Sequence, residues 1–349
     1  MTIPTVTSNT VTPHTVAPGV PLSDAGGVRL SLSRGLRRFQ WFVELRRLQH
    51  EGFANAYRRR RLWKAVLRLP PVITDPVSHG GPVELHLVCC QRDYLCALWS
   101  LKTFYRTSSA RFPLVVHMNG RISALARRRL RQHLPSAKLI AATEADATVS
   151  AWLSAHECPR LLEARSRNPF LVKLIDVHIL SSSSRVVLLD SDVLFFARPE
   201  EVLSAAADVT TGVDYFQRDA ATTYNLQVDE AERELGIPLV PAINTGIAVL
   251  GRATVDLRRC EELMGHPAIA RSTGWIEQTL YALLASEKRR AQHLPSSYLV
   301  SLAPKEDLTT LVARHYAGPS RRHLTDEGLP FVLDQITQSG SSGLPLWPL

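Results

Sequence analysis

The sequence predicts a protein of the α/β class built around a mostly parallel sheet. From Val83 onward, short apolar runs alternate with segments of helical periodicity, which is typical of strands joined by crossover helices. One apolar run ends directly in two aspartates, Asp190 and Asp192, and sheets of this class bind ligands at the carboxyl ends of their strands. With 349 residues, of which 45% are hydrophobic, the chain can bury a sizeable core.

The chain before residue 72 is predicted to form two segments that precede the main domain. Residues 1–30 are dominated by Thr, Pro, Ser and Gly, which predicts a disordered N-terminus. Residues 31–71 are basic and carry apolar side chains at helical spacing, which predicts a helical arm. The sequence contains no apolar run of about 18 residues, and we expect residues 1–28 not to act as a secretory signal. Its five irregularly spaced cysteines favour a reducing compartment, so we expect a cytoplasmic protein.

The net charge of +9 is concentrated in this arm. Between Arg34 and Arg68 there are eleven basic and two acidic residues. Two interpretations stay open: the arm packs on the main domain with a solvated basic face, or it contacts an anionic membrane surface. We expect no nucleic-acid binding, because no recognised motif accompanies the charge.

The main domain is placed at residues 83–330. Its strands are short apolar runs, and its helices repeat apolar residues at intervals of three and four. The predicted strands are 83–90, 112–117, 138–142, 185–189, 243–250 and 311–316, and the predicted helices are 95–105, 124–134, 168–181 and 275–285. Residues 331–349 are predicted to form a C-terminal tail, because a Ser/Gly/Pro stretch lies near the end of the chain.

The segment Asp190-Ser191-Asp192 lies between two apolar runs, 185–189 and 193–196. Two carboxylates between buried segments are costly unless a cation neutralises them, and hard oxygen ligands suit Mn²⁺ or Mg²⁺. Such an ion could offset the charge that develops on a nucleoside diphosphate leaving group. The alternative is that both aspartates occupy a turn or cap the next helix.

Around these aspartates, residues 171–196 resemble the DxD core of GT-A glycosyltransferases, and most closely glycosyltransferase family 8, which includes glycogenin and bacterial lipopolysaccharide galactosyltransferases. Three later segments match family motifs in the same order, and the resemblance covers about residues 83–328. The matching segments are Asn244-Thr245-Gly246, Glu277-Gln278, and His315 with Gly318 and Arg321, where the family usually has Lys for Arg321.

The resemblance implies a role for each of these residues. Asp190, Asp192 and His315 would ligate Mn²⁺ or Mg²⁺. Gln278 would lie near the reactive face of the donor sugar and, with Asp192, would serve catalysis. The residues that would bind the donor are Asp93, Tyr94, Lys173, Asp190, Ser191, Asn244, Gly246, Glu277, Gly318 and Arg321.

The activity implied is metal-dependent transfer of a hexosyl group from a nucleotide sugar, with a UDP-sugar favoured. The acceptor would be a hydroxyl of a glycan, lipid or protein, and the transfer would retain the anomeric configuration. Two alternatives stay open. A sugar-phosphate nucleotidyltransferase is disfavoured because the loop at 89–93 lacks glycine. A catalytically degenerate binding protein is disfavoured by the intact Asp190, Asp192 and His315.

Overall fold

The computed structural model describes residues 55–271 and 273–341. The predicted disordered N-terminus at 1–30 lies outside the described residues, as does the predicted arm up to residue 54. Within the described part of the chain, no helix has the length and apolar character needed to cross a bilayer.

A seven-stranded sheet forms the centre of the fold. In spatial order its strands are β3 (Lys138–Ala141), β2 (Leu114–Met118), β1 (Val83–Cys89), β4 (Arg185–Leu189), β7 (Ile243–Gly251), β6 (Asp214–Arg218) and β8 (Ala291–His293). Of these seven strands, only β7 runs antiparallel to its neighbours. The α/β class and the mostly parallel sheet predicted from the sequence are therefore confirmed.

Helices cover both faces of this sheet. They are α2 (Tyr94–Ser108), α3 (Ala124–His133), α4 (Ala142–Ala155), α5 (Pro159–Arg167), α6 (Leu171–Leu180), α7 (Glu200–Ala207), α8 (Val228–Leu235), α9 (Leu257–Leu263), α10 (Ile276–Glu287), α11 (Arg321–His323) and α12 (Leu329–Ser341). In β4, Val187 and Leu189 join the core that contains α2 and α12, whereas Val186 and Leu188 join the core that contains α6 and α10. This alternation is the period of two that strand geometry imposes.

A second, three-stranded sheet lies beside the end of β4. Its order is β5 (Val193–Phe195), β10 (Ala313–His315) and β9 (Tyr298–Val300). Strand β5 follows β4 after three residues and pairs with β10 in antiparallel register, with Val193 opposite His315. The second sheet therefore brings residue 315 next to the loop at 190–192.

The last residues of the basic arm pack on α2. Residues 59–65 are the last residues of a helix, which we call α1. In this helix, the Trp63 carbonyl accepts a hydrogen bond of 3.2 Å from Trp99 Nε1 on α2. The Lys102 ammonium donates to the Leu69 carbonyl at 2.9 Å, and Val66 is buried. For this part of the arm, the structure matches the interpretation in which it packs on the main domain.

Several elements were not predicted, and one of them bears on the domain boundary. Helices α4 and α5 and most elements between residues 197 and 242 are absent from the prediction. Helix α12 occupies part of the predicted tail: Val332 is buried and the Phe331 ring lies 5.4 Å from that of Phe196. The packed body therefore continues past residue 330.

Val332→Ala removes two methyl groups from the buried side of α12, and we expect it to lower the free energy of unfolding by about 1–3 kcal/mol. Urea denaturation followed by circular dichroism measures this change. Asp334→Ala, on the exposed side of the same helix, is the control and should change stability by less than about 0.5 kcal/mol. Equal stability of the two variants would contradict the packing of α12.

Candidate metal centre

The three predicted metal ligands converge at the end of β4. Asp190 follows β4 directly, and its backbone N–H donates to the Gly246 carbonyl on β7 at 2.8 Å. Two residues on, the Asp192 carbonyl accepts from the Tyr316 N–H at 2.9 Å, which places it beside β10. The ligand atoms of Asp190, Asp192 and His315 all lie within 4.8 Å of one another.

Hydrogen bonds fix which nitrogen of His315 can ligate a metal. Its Nδ1 lies 2.9 Å from Asn244 Oδ1. The Gly246 N–H, which can only donate, contacts the same Asn244 oxygen at 2.8 Å, so this atom is an acceptor and His315 Nδ1 must carry a proton. In the neutral ring the lone pair is then on Nε2, which lies 3.3 Å from Asp192 Oδ1 and 3.6 Å from Asp190 Oδ2.

Gly246 makes room for the His315 ring. A Cβ atom at residue 246 would lie 2.1 Å from His315 Nδ1 and 2.5 Å from Cε1, a separation that no packed side chain tolerates. Glycine is therefore required by close approach at this position. The sequence predicted contact with the donor sugar for Asn244 and Gly246, and the structure adds a different contact, since both residues position His315.

Two carboxylates and one imidazole form a donor set that fits Mn²⁺ or Mg²⁺. Burial opposes ionisation of Asp192, but hydrogen bonding to His315 and the charge of Arg321 outweigh it and lower the pKa of Asp192. Burial alone would lower the pKa of His315, but the hydrogen bond to Asp192 and the charge of Asp192 outweigh this effect and raise the pKa. A divalent cation would therefore compete with a proton for His315 Nε2.

A buried cation approaches the centre from α6. The Lys173 ammonium donates to Asp190 Oδ1 at 2.8 Å and to Thr245 Oγ1 at 3.1 Å. Glu277, from α10, has one oxygen 3.7 Å from this ammonium and accepts from the Thr245 hydroxyl with the other. Burial raises the pKa of Glu277 to about 7 although Lys173 opposes the shift. Sequence reasoning missed Thr245, which links these two charged residues.

A second cation, Arg321, also contacts the residues of this centre. Its guanidinium lies 3.1 Å from Asp93 Oδ1, 3.6 Å from Asp192 Oδ2 and 3.3 Å from Ser191 Oγ. The turn before it begins at Gly318, whose φ of +52° favours glycine. Arg321 thus joins the loop after β1 to the aspartate loop, and its predicted contact with a diphosphate stays a prediction.

Asp219 is the main residue that sequence reasoning missed. Its Oδ2 accepts from Asn244 Nδ2 at 3.1 Å and from Gln278 Nε2 at 3.3 Å. Gln278 Nε2 also donates to Thr223 Oγ1 at 2.9 Å. A hydrogen-bonded chain therefore runs from Gln278 through Asp219 and Asn244 to His315. The only sequence signal for Asp219 was the position of an acidic residue directly after a run of mixed apolar and polar residues.

Tyr94 is directed differently from Asp93, its neighbour in the predicted donor-binding loop. Its hydroxyl accepts a hydrogen bond of 2.6 Å from Arg129 on α3. Asp93 is therefore the residue of this pair that contacts Arg321 at the metal centre.

No protein-family model matches the sequence, and no curated protein matches it. Solved structures similar to this chain include three glycosyltransferases. The bifunctional glycosyltransferase WbbM, in its apo form, shares 16% identity at a TM-score of 0.45 over 70% of this chain and 47% of its own. Mouse xyloside xylosyltransferase 1 shares 13% identity at a TM-score of 0.44 over 67% of this chain and 97% of its own.

The third, the galactosyltransferase LgtC in complex with donor and acceptor sugar analogues, shares 14% identity at a TM-score of 0.40 over 72% of this chain and 94% of its own. This chain thus spans about half the length of WbbM and nearly all of the other two.

Gly246→Ala should displace the His315 ring and weaken Mn²⁺ binding by about 10- to 100-fold, because loss of a residue that orients a ligand has effects of this size. Titration of Mn²⁺ followed by electron paramagnetic resonance measures the affinity. Gly251→Ala, on the same strand, is the matched control, since its Cβ would lie at an ordinary 3.6 Å from its nearest neighbour. Similar Mn²⁺ affinities in both variants would contradict this role of Gly246.

Proposed function

We propose that the protein is a metal-dependent GT-A glycosyltransferase that moves a hexosyl group from a nucleotide sugar, with a UDP-sugar favoured, to a hydroxyl acceptor. The observation that carries the proposal is the set of ligand atoms of Asp190, Asp192 and His315 within 4.8 Å of one another. The matches to family motifs at residues 244–246, 277–278 and 315–321 support it, because segments distant in sequence supply neighbouring side chains of one centre.

In this proposal Asp190, Asp192 and His315 Nε2 would hold Mn²⁺ or Mg²⁺. The ion would offset the negative charge that builds on the diphosphate leaving group. Lys173 donates a hydrogen bond of 2.8 Å to Asp190 Oδ1. The other oxygen of Asp190, Oδ2, faces His315 and would be the metal ligand.

Arg321 is the residue best placed to bind diphosphate oxygens. Its planar guanidinium can offer two parallel N–H donors to a phosphate. Its present partners, Asp93 and Asp192, lie 3.1 and 3.6 Å away, so the group is held at the centre before a donor arrives. Compared with the Lys usual in the family, Arg keeps the charge and adds a fixed geometry.

Gln278 would face the donor sugar. Its amide nitrogen is held by Asp219 and Thr223, which leaves its carbonyl oxygen as the atom available to the anomeric centre. We propose transfer with retention, in which the side chain of Gln278 lies near the reactive face of the sugar. Asp219 acts as a positioning residue, because it holds the amides of both Gln278 and Asn244.

The acceptor in this proposal is a hydroxyl of a glycan, a lipid or a protein. A cytoplasmic location fits the free thiols, since all five cysteines are unpaired and such thiols persist in a reducing compartment.

Asp192→Asn keeps the shape of the side chain and removes one negative ligand, so we expect loss of at least about 100-fold in metal-dependent turnover. Hydrolysis and transfer are measured with a panel of nucleotide sugars at saturating Mn²⁺. Asp229→Asn, at an exposed position of α8, should retain wild-type turnover. Unchanged turnover of Asp192→Asn would refute the metal assignment.

The main rival is a sugar-phosphate nucleotidyltransferase, which would use the same centre to join a nucleoside triphosphate and a sugar 1-phosphate. Incubation with these two substrates should release no pyrophosphate. Pyrophosphate release without hydrolysis of nucleotide sugars would favour the rival. Calorimetric titration with UDP, with and without Mn²⁺, addresses a degenerate binding protein, which would bind UDP but show no turnover.

A further inference from the structure

Helix α3 carries an open groove lined by arginines. The groove has a volume of about 640 Å³, and its lining residues are Ala124, Arg127, Arg128, Arg131 and Gln132. Residues spaced by three and four positions share one side of a helix, so the three guanidinium groups face the same region.

These arginines have no acidic partners in the described part of the chain. No ion pair to Arg127, Arg128 or Arg131 occurs among the described residues, and Arg127 Nε is buried without a hydrogen-bond partner there. The sequence explains this, because residues 94–143 contain nine basic residues and no acidic one. Within residues 55–271 and 273–341, the groove is therefore a positive site without acidic partners.

The segment that follows the basic arm contacts the end of α3. The Val72 N–H donates to the His133 carbonyl at the end of α3, at 2.9 Å. Residues 59–74 also lack acidic side chains, so this segment supplies no acidic partner for the arginines. We call the set of Arg127, Arg128 and Arg131 the basic face.

Apolar side chains are exposed beside the basic face. Leu125 is 46% exposed and precedes Arg128 by three residues on α3, and Ile73 is 44% exposed next to Val72. Arginines mixed with exposed aliphatic side chains suit a membrane interface, where headgroup phosphates pair with the arginines and the aliphatic groups enter the apolar boundary. A nucleic-acid backbone would use the charges but leave Leu125 and Ile73 in water.

From these observations we propose that the basic face docks on an anionic phospholipid surface. This inference goes beyond the proposed glycosyl transfer and does not depend on it. Other residues of the same segment contact the loop after β1: the Ser123 N–H donates to Gln91 Oε1 at 2.7 Å and Arg129 donates to the Tyr94 hydroxyl at 2.6 Å.

The test is co-sedimentation of the full chain with vesicles of phosphatidylcholine alone or with 30% phosphatidylglycerol, chosen here to be roughly as anionic as a charged leaflet. The wild type should sediment only with the anionic vesicles, and less at high salt. Each basic residue at such a surface contributes roughly fivefold to the partition coefficient. The double variant Arg128→Glu, Arg131→Glu should therefore lose at least about 25-fold.

Two further variants separate charge from folding and from a specific phosphate site. Arg258→Glu with Lys305→Glu makes the same change in net charge at exposed positions elsewhere and should bind like the wild type. Arg128→Lys with Arg131→Lys keeps the charge and should retain vesicle binding. Equal loss in the Arg258 and Lys305 variant, or full binding by the Arg128→Glu, Arg131→Glu variant, would overturn the proposal.

Three other results would also reject it. The first is binding to neutral vesicles as strong as to anionic ones. The second is loss of binding in the lysine variant, which would indicate a phosphate site that needs arginine geometry. The third is complete displacement of the protein from anionic vesicles by duplex nucleic acid of equal charge at about 0.15 M salt, which would identify nucleic acid as the partner.

Discussion

The structure around the site depends on the compensation of two carboxylates at the end of β4. Asp190 and Asp192 lie between buried strands, where isolated negative charges are costly. Three groups from separate elements approach them: Lys173 from α6, Arg321 from α11 and His315 from β10. Because these groups come from distant parts of the chain, the centre can form only when the large and the small sheet have assembled.

The tautomer of the His315 imidazole is determined by hydrogen bonds to neighbouring residues. The Gly246 N–H identifies the Asn244 oxygen as an acceptor, and that oxygen then requires a proton on His315 Nδ1. Asp219 holds the other end of the Asn244 amide, so the tautomer is fixed by β6 and β7 together. In the neutral ring, this arrangement leaves the Nε2 lone pair of His315 directed at the aspartates.

Local features of the fold were predictable from the sequence, and long-range ones were not. Strand β4 was predicted with its observed bounds because four consecutive apolar residues precede the aspartates. Asp219 and Thr245 were missed because their roles arise from the pairing of β6 with β7, which shifts register between Phe216 and Gln217. Helix α12 was missed because the Ser and Gly near its end outweighed the spacing of its apolar residues. The grouping of His315 with Asp190 was expected only from the resemblance, since no local sequence pattern connects the two residues.

Charge is the property for which counting along the chain was most misleading. Residues 34–68 carry an excess of nine basic residues, which equals the net charge of +9, so the rest of the chain is formally neutral. Yet residues 94–143 carry another excess of nine. The remaining segments must therefore hold nine more acidic than basic residues. An uneven distribution of this kind creates local fields that the net charge does not reveal. The neutral total outside residues 34–68 thus combines a basic segment, which contains the arginines of α3, with an excess of acidic residues elsewhere in the chain.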